Sequence, residues 1–168
     1  MAKRTSAKVQ RELKRRYSKL ADSISEYYHH LDLRPFDDFD DDAFAYIMKK
    51  VKGINMLDLN ETEITNESIK LLTRLEYVKE LRAKECRHLD NDCIDDLNKL
   101  NDLVFLHVKA TAITIDGLLR LNNLPELKEL MFSEEDVESI KEKMLQLKDN
   151  LPNCEFTVNS KPYSFTAE

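Results

Sequence analysis

A chain of 168 residues is long enough for one domain with a sizeable core and leaves little room for a second. The charged share of 35% suits a thin, elongated fold, and a net charge of -6 argues against phosphate-backbone binding by the chain as a whole. Cys86, Cys93 and Cys154 form no CxxC pair and are odd in number, which disfavours a disulfide framework, and no apolar run approaches the roughly 20 residues that span a bilayer.

The first predicted element is an amphipathic helix over residues 7–28, in which Val9, Leu13, Tyr17, Leu20, Ile24 and Tyr27 recur every three or four positions. Its basic side belongs to a block running from Lys3 to Lys19, with Glu12 as the single acidic residue up to position 20. Residues 1–28 are expected to act as a capping helix for a domain over 29–168, with Tyr28 nearby. The alternative is recruitment of a nucleic acid or an anionic membrane by the basic side. No apolar stretch follows the basic start, so it does not read as a secretory signal, and Glu12, Asp22 and Glu26 interrupt any likeness to an organellar leader. A reducing, cytoplasmic setting is the expectation.

Residues 31–54 read as a degenerate first unit. Leu31-Asp32-Leu33 echoes Leu57-Asp58-Leu59, and Ala45, Met48 and Val51 stand 24 residues before Ile69, Leu72 and Leu75. Pro35 is acceptable at or beyond a strand end. The aspartates of the run Asp37 to Asp42 can cap a helix that begins near Ala43 and favour its positive end.

The frame Ile54-x-x-Leu57-x-Leu59-x-x-Thr62-x-Ile64 then repeats. It returns as Val78-x-x-Leu81-x-Ala83-x-x-Cys86-x-x-Leu89 and as Leu103-x-x-Leu106-x-Val108-x-x-Thr111-x-Ile113, and it opens a fourth time at Leu127-x-x-Leu130-x-Phe132, with starts 24, 25 and 24 residues apart. Apolar residues three apart precede each return: Ile69, Leu72 and Leu75, then Ile94, Leu97 and Leu100, then Leu118, Leu121 and Leu124. Alternation in the first half predicts a short strand, and the spacing of three in the second half predicts one inward side of a short helix. No such unit buries its apolar side alone. Stacking makes one interior, with parallel strands on a concave face and helices on a convex one.

At the far end, Ser133 is expected to cap a longer helix carrying Val137, Ile140, Met144 and Leu147, which Leu151-Pro152 ends. Phe156 and Val158 alternate as a last edge strand. Lys161-Pro162-Tyr163 is expected to leave the array, with a frayed tail after Phe165.

The pattern resembles leucine-rich repeats of the cysteine-containing, F-box-associated type and their bacterial relatives. Leu57-Asp58-Leu59, Thr62, Ile64-Thr65 and the final leucines of each unit carry the likeness. Cys86 falls where that repeat type often has its cysteine, and Ile113-Thr114-Ile115-Asp116-Gly117-Leu118 is similar to its Ile-Thr-Asp-x-Gly-Leu segment with one residue shifted. The likeness spans roughly residues 31–158, and no F-box segment accompanies it. It implies an α/β leucine-rich-repeat solenoid serving as a protein-binding scaffold.

Strand register places Leu57, Leu59, Leu81, Ala83, Leu106, Val108, Leu130 and Phe132 inward. The residues between them face out in three rows: Asp58, Arg82, His107 and Met131, with Asp32 before them; Asn60, Lys84, Lys109 and Ser133; and Met56, Glu80, Phe105 and Glu129. An exposed Phe105 and Met131 beside Arg82, Lys84, His107 and Lys109 make a candidate protein-contact patch. With Met56 and Asp58 they are the expected site, and a protein partner is the expected ligand.

Reaction chemistry finds little footing. Gly53 and Gly117 are the only glycines, too few for a phosphate-cradling loop, and there is no His-Glu-x-x-His motif. His29 and His30 are adjacent, which keeps them off a common helical face. The aspartate run lacks the spacing and glycine of a calcium loop. No cofactor, metal, small-molecule substrate or catalytic residue is therefore expected.

Overall fold

The computed structural model describes residues 7–165; Lys3, Arg4 and the tail after Phe165 lie outside the described residues. A helix, α1 (Ala7–Ser23), leads into a repeating order of strand and helix: β1 (Tyr27–Asp32), α2 (Asp41–Ile47), β2 (Gly53–Asp58), α3 (Asn66–Leu72), β3 (Tyr77–Arg82), a 3-10 turn at Asn91–Cys93 running into α4 (Ile94–Leu97), β4 (Phe105–His107), α5 (Ile115–Leu118), β5 (Glu129–Phe132), α6 (Lys141–Asn150), β6 (Glu155–Val158) and β7 (Lys161–Pro162). The strands form one open sheet in sequence order, parallel from β1 to β6 with β7 antiparallel at the end. This is an α/β solenoid. Leu31, Leu57, Leu81, Leu106, Leu130 and Phe156 pair in one continuous ladder, each at most 5% exposed. One core runs through every unit and includes Leu13 and Tyr17 of α1.

Two devices hold successive units in register. The helices start at Asp40, Thr65, Asp90 and Thr114, whose side chains accept backbone N–H groups of the first turn; such caps contribute about 1 kcal/mol each. The residue after each cap ties it to the next unit. Asp41 accepts the Thr65 N–H at 2.9 Å and its hydroxyl at 2.6 Å, Asn66 and Asp90 exchange two bonds, and Asn91 and Thr114 exchange two more. Gly117 exists for this ladder, because a Cβ there would stand 2.0 Å from Asn91 Oδ1. The second device is a left-handed residue soon after each inner strand: Glu61 (φ 64°), Glu85 (φ 61°) and Ala110 (φ 56°). The N–H of Glu61 reaches the Lys84 carbonyl and that of Glu85 the Lys109 carbonyl, 2.8 and 2.9 Å away.

Four expectations are corrected at the ends. The first helix stops at Ser23, and Tyr27 and Tyr28 belong to β1, where Tyr28 pairs with Ile54. Tyr27 lies in register with Gly53 and Tyr77, and the two rings stack at 6.4 Å and 16° over the glycine, where no side chain would fit. The first unit is thus a full one with tyrosine at its opening position. Its helix is turned by one residue, burying Ala43, Phe44 and Ile47 while Ala45 and Met48 are half-buried; Val51 is buried as expected. The cause is length, since Leu31 pairs with Leu57 across a longer interval than Leu57 with Leu81.

Ser133 caps no helix. Its hydroxyl accepts the Ala110 N–H at 3.1 Å, in the place taken by a carbonyl in the units before it, and α6 begins only at Lys141 after a turn through Val137–Ile140. Finally, β6 is not the last strand. Asn159 and Ser160, both left-handed, turn the chain back so that Lys161–Pro162 pairs with Thr157–Val158. Two successive left-handed residues are the geometry of a tight hairpin. Proline, which has no N–H to donate, is tolerated on the edge strand.

Candidate protein-contact face

Helices cover one side of the sheet, and the other carries the outward rows. Backbone register sets them directly: Asp32, Asp58, Arg82, His107, Met131 and Thr157 pair across neighbouring strands, as do His30, Met56, Glu80, Phe105, Glu129 and Glu155. Adjacent strands lie about 4.8 Å apart, so each row is a line of touching side chains.

The β1–β2 end is closed by an ion-pair knot. Arg34, just beyond β1, forks onto Asp32 at 2.8 and 2.9 Å and reaches Asp58 Oδ2 at 3.3 Å. Asp58 also accepts the Asn60 N–H at 3.1 Å. At 4% exposure it does not present the free solvent-facing carboxylate that register alone suggested. The hydrogen bond to Arg34 holds the Asp32 carboxyl below its ordinary range, and that to Asp32, with the charge of Asp58, pushes the Arg34 guanidinium up.

The middle of the face is different. The Arg82 guanidinium carbon lies 5.2 Å from the centre of the Phe105 ring, and Nη2 reaches Glu80 at 3.0 Å. Phe105 meets the His107 ring edge-on at 6.3 Å. Phe105 is therefore half-buried rather than freely exposed, because Arg82 lies over it. Lys84 pairs with Glu85 at 2.9 Å and stands 3.9 Å from Glu61. Lys109 Nζ donates to the neutral hydroxyl of Ser160 at 2.7 Å. Met56 and Met131 are half-buried. Arg82 Nε and His107 Nε2 are both buried without a hydrogen-bond partner. Burial pushes the His107 imidazole below its ordinary value, and the positive charges of Lys84, Lys109 and Arg82 push the same way against Asp58.

Of the expected site residues, the structure groups Arg82, Lys84, Phe105, His107, Lys109 and Met131 and turns Asp58 into part of the Arg34 knot. Arg34 and Ser160 were missed. Arg34 stands two residues beyond Asp32, at the repeat position of Asn60, Lys84 and Lys109, in a row that had been read only from Asn60 onward, and Ser160 follows Asn159 in a hairpin whose signal was the Asn-Ser pair before Lys161-Pro162.

Elsewhere the ionisable groups serve local structure. Arg16 donates to the Asp37 carbonyl and stands 3.9 Å from Asp38, so the basic helix and the acidic run meet, while Lys8, Arg11, Lys14 and Lys19 are exposed. Burial raises all three thiols, Cys93 and Cys154 to about 12, which keeps them protonated near neutral pH. A cleft of about 840 Å³ at the C-terminal end is lined by Leu145, Tyr163 and Phe165, among others, and by Glu138 and Lys141, which pair at 2.5 Å. Among the described residues no group of three or more His, Cys, Asp or Glu side chains is placed to hold a metal ion, and no helix is long and apolar enough to cross a membrane.

No protein-family model matches the chain. In sequence it is similar to the ATP synthase subunit s, mitochondrial, of Bos taurus, with 24% identity over 140 residues, and to that of Homo sapiens, with 26% over 140 residues. Each alignment covers 80% of this chain, and the chain spans 64% of the length of each relative. Both are named as subunits of an assembly.

Proposed function

We propose that the chain is a non-catalytic binding module of leucine-rich-repeat type, an accessory or adaptor protein that holds a protein partner on the open face of its sheet. The observation that carries this is the pair of aligned outward rows, which combine half-buried apolar side chains with charged ones over neighbouring strands. An interface of this composition gains its affinity from a few aromatic, methionine and arginine anchors and its selectivity from surrounding charge. Its chemistry needs no reacting group, in keeping with three protonated thiols and with the names of the distant relatives as subunits of an assembly. Three buried, unpaired cysteines favour a reducing compartment. The cytoplasm is our first assignment, and mitochondria, where the relatives are named, are the alternative.

The test is affinity capture from the native organism by the wild-type chain and by a Phe105→Ala, Lys84→Glu variant, with ATP synthase subunits among the proteins sought. Loss of a reproducible partner with retained folding supports the sheet face. Full retention by the variant rejects it. The exposed Lys8, Arg11, Lys14 and Lys19 support a second reading, recruitment of an anionic membrane or nucleic acid by α1. Binding that falls steeply with salt and is lost with charge reversal on α1 would select that reading.

A further inference from the structure

We infer that the centre of the open face, at Arg82, His107 and Lys109, is a carboxylate-binding subsite, and that the partner segment lying there is acidic, with an aspartate or glutamate beside an apolar residue. The inference rests on the sheet-face reading above and specifies its ligand.

Buried polar groups in folded proteins are nearly always paired, and each exception calls for an explanation. Among the described residues three buried side-chain polar atoms have no hydrogen-bond partner, and two of them, Arg82 Nε and His107 Nε2, belong to residues paired directly across β3 and β4. Two neighbouring orphaned nitrogens on the open side of a sheet are a place where an acceptor is missing. Arg82 can only donate, and His107 Nε2 donates in one neutral tautomer and in the protonated ring; in either of those states the group that satisfies both is an acceptor.

Charge narrows the class of acceptor. The ionisable groups around His107 are Glu80 and Arg82 on β3, Glu129 on β5, Lys84 and Lys109 after β3 and β4, and Asp58 on β2. Asp58 is engaged by Arg34, Glu80 by Arg82 and Glu85 by Lys84, whereas the Lys109 ammonium meets the neutral Ser160 hydroxyl. Burial together with the positive field of Lys84, Lys109 and Arg82 disfavours the protonated imidazole. A carboxylate entering here would meet Lys109 as its counter-charge and the imidazole N–H as a donor. Phe105 and Met131 border the spot and offer apolar contact to the neighbouring residue of the same segment. Arg82 and His107 are half-buried residues, so a small side-chain rotation, common when interfaces form, brings their nitrogens to the surface.

The probe is a short synthetic peptide of alternating glutamate and leucine, titrated into the isotope-labelled full chain and followed by the imidazole resonances of the histidines and the methionine methyls. The expected result is a shift confined to His107 and Met131, with His29 and His88 unmoved, and a rise in the His107 pKa on binding. The glutamine analogue of the peptide, and the Lys109→Gln variant with an otherwise native amide spectrum, should each bind about tenfold to a hundredfold more weakly, the size of one charge-assisted hydrogen bond. Equal binding of the glutamine analogue, shifts confined to α1, or no shift at all would overturn the inference. So would an RNA oligonucleotide that moves the His107 signals more strongly than the peptide does. If His107 stays silent while the Phe105→Ala, Lys84→Glu variant still loses its captured partner, the acidic ligand alone is wrong. If that capture is also unaffected, the sheet-face reading falls with it.

Discussion

His107 shows how a repeat position acquires a particular chemistry. Its place in the outward row follows from the alternation of β4, but its environment comes from other units: Arg82 from β3, Lys84 from the turn beyond it, and Lys109, which is held in turn by Ser160 of the terminal hairpin. Its proton affinity falls on folding, so below the unfolded value near 6.5 the unfolded chain binds more protons than the folded one. The stability contribution is complete above that value and is lost as pH falls through and below it. Thermal unfolding followed from pH 8 downwards should therefore show a melting temperature that begins to drop near pH 6.5, and His107→Gln should flatten the drop in that upper part of the range. An unchanged profile in the variant would show that the imidazole is not perturbed. The acidic partner segment inferred above would reverse the effect, because a bound carboxylate favours the protonated ring.

At the scale of elements, α1 closes the open end of the helix layer. Leu13 and Tyr17 are buried, and the Tyr17 ring meets Phe36 and Phe39 edge-on at 5.7 and 6.0 Å. Removing a buried aromatic side chain costs about 3–5 kcal/mol. In a stacked array that loss is felt first by the adjoining unit. Tyr17→Ala should therefore speed hydrogen exchange in β1 and α2 while leaving β5 and β6 close to wild type, and a uniform increase across all units would contradict the cap. The inner units were legible in the sequence because one face of each element is buried against its neighbours, which imposes leucine, isoleucine or valine at fixed positions such as Leu57, Leu81 and Leu106. The ends were less so. Tyr28 fills the opening position of the first unit and Tyr27 before it continues the apolar spacing of α1, so periodicity extended the helix five residues past its end at Ser23. Ser133 has a residue type suited to capping, but hydrogen bonding across units used it in another way. Asp58 was placed on the correct face and still misjudged, since its partner Arg34 holds the Asn60 position of the first unit, and that outward row had been read only from the second unit on.

The whole molecule is a short stack with one continuous interior, covered by helices on one side and bare on the other. Aligned rows on that bare side put residues 24 or 25 positions apart in contact, which lets single substitutions build a composite surface without disturbing the core ladder. The proposed binding function requires that a partner protein occupy that side in the cell. The most direct measurement is site-specific photo-crosslinking in the native organism, with the reactive residue placed in turn at Met131, on the sheet face, and at the exposed Lys70, on helix α3. A partner on the sheet face gives a discrete protein adduct from position 131 and none from position 70. Adducts from position 70 with none from position 131 would place the contact on the helices and contradict the proposal.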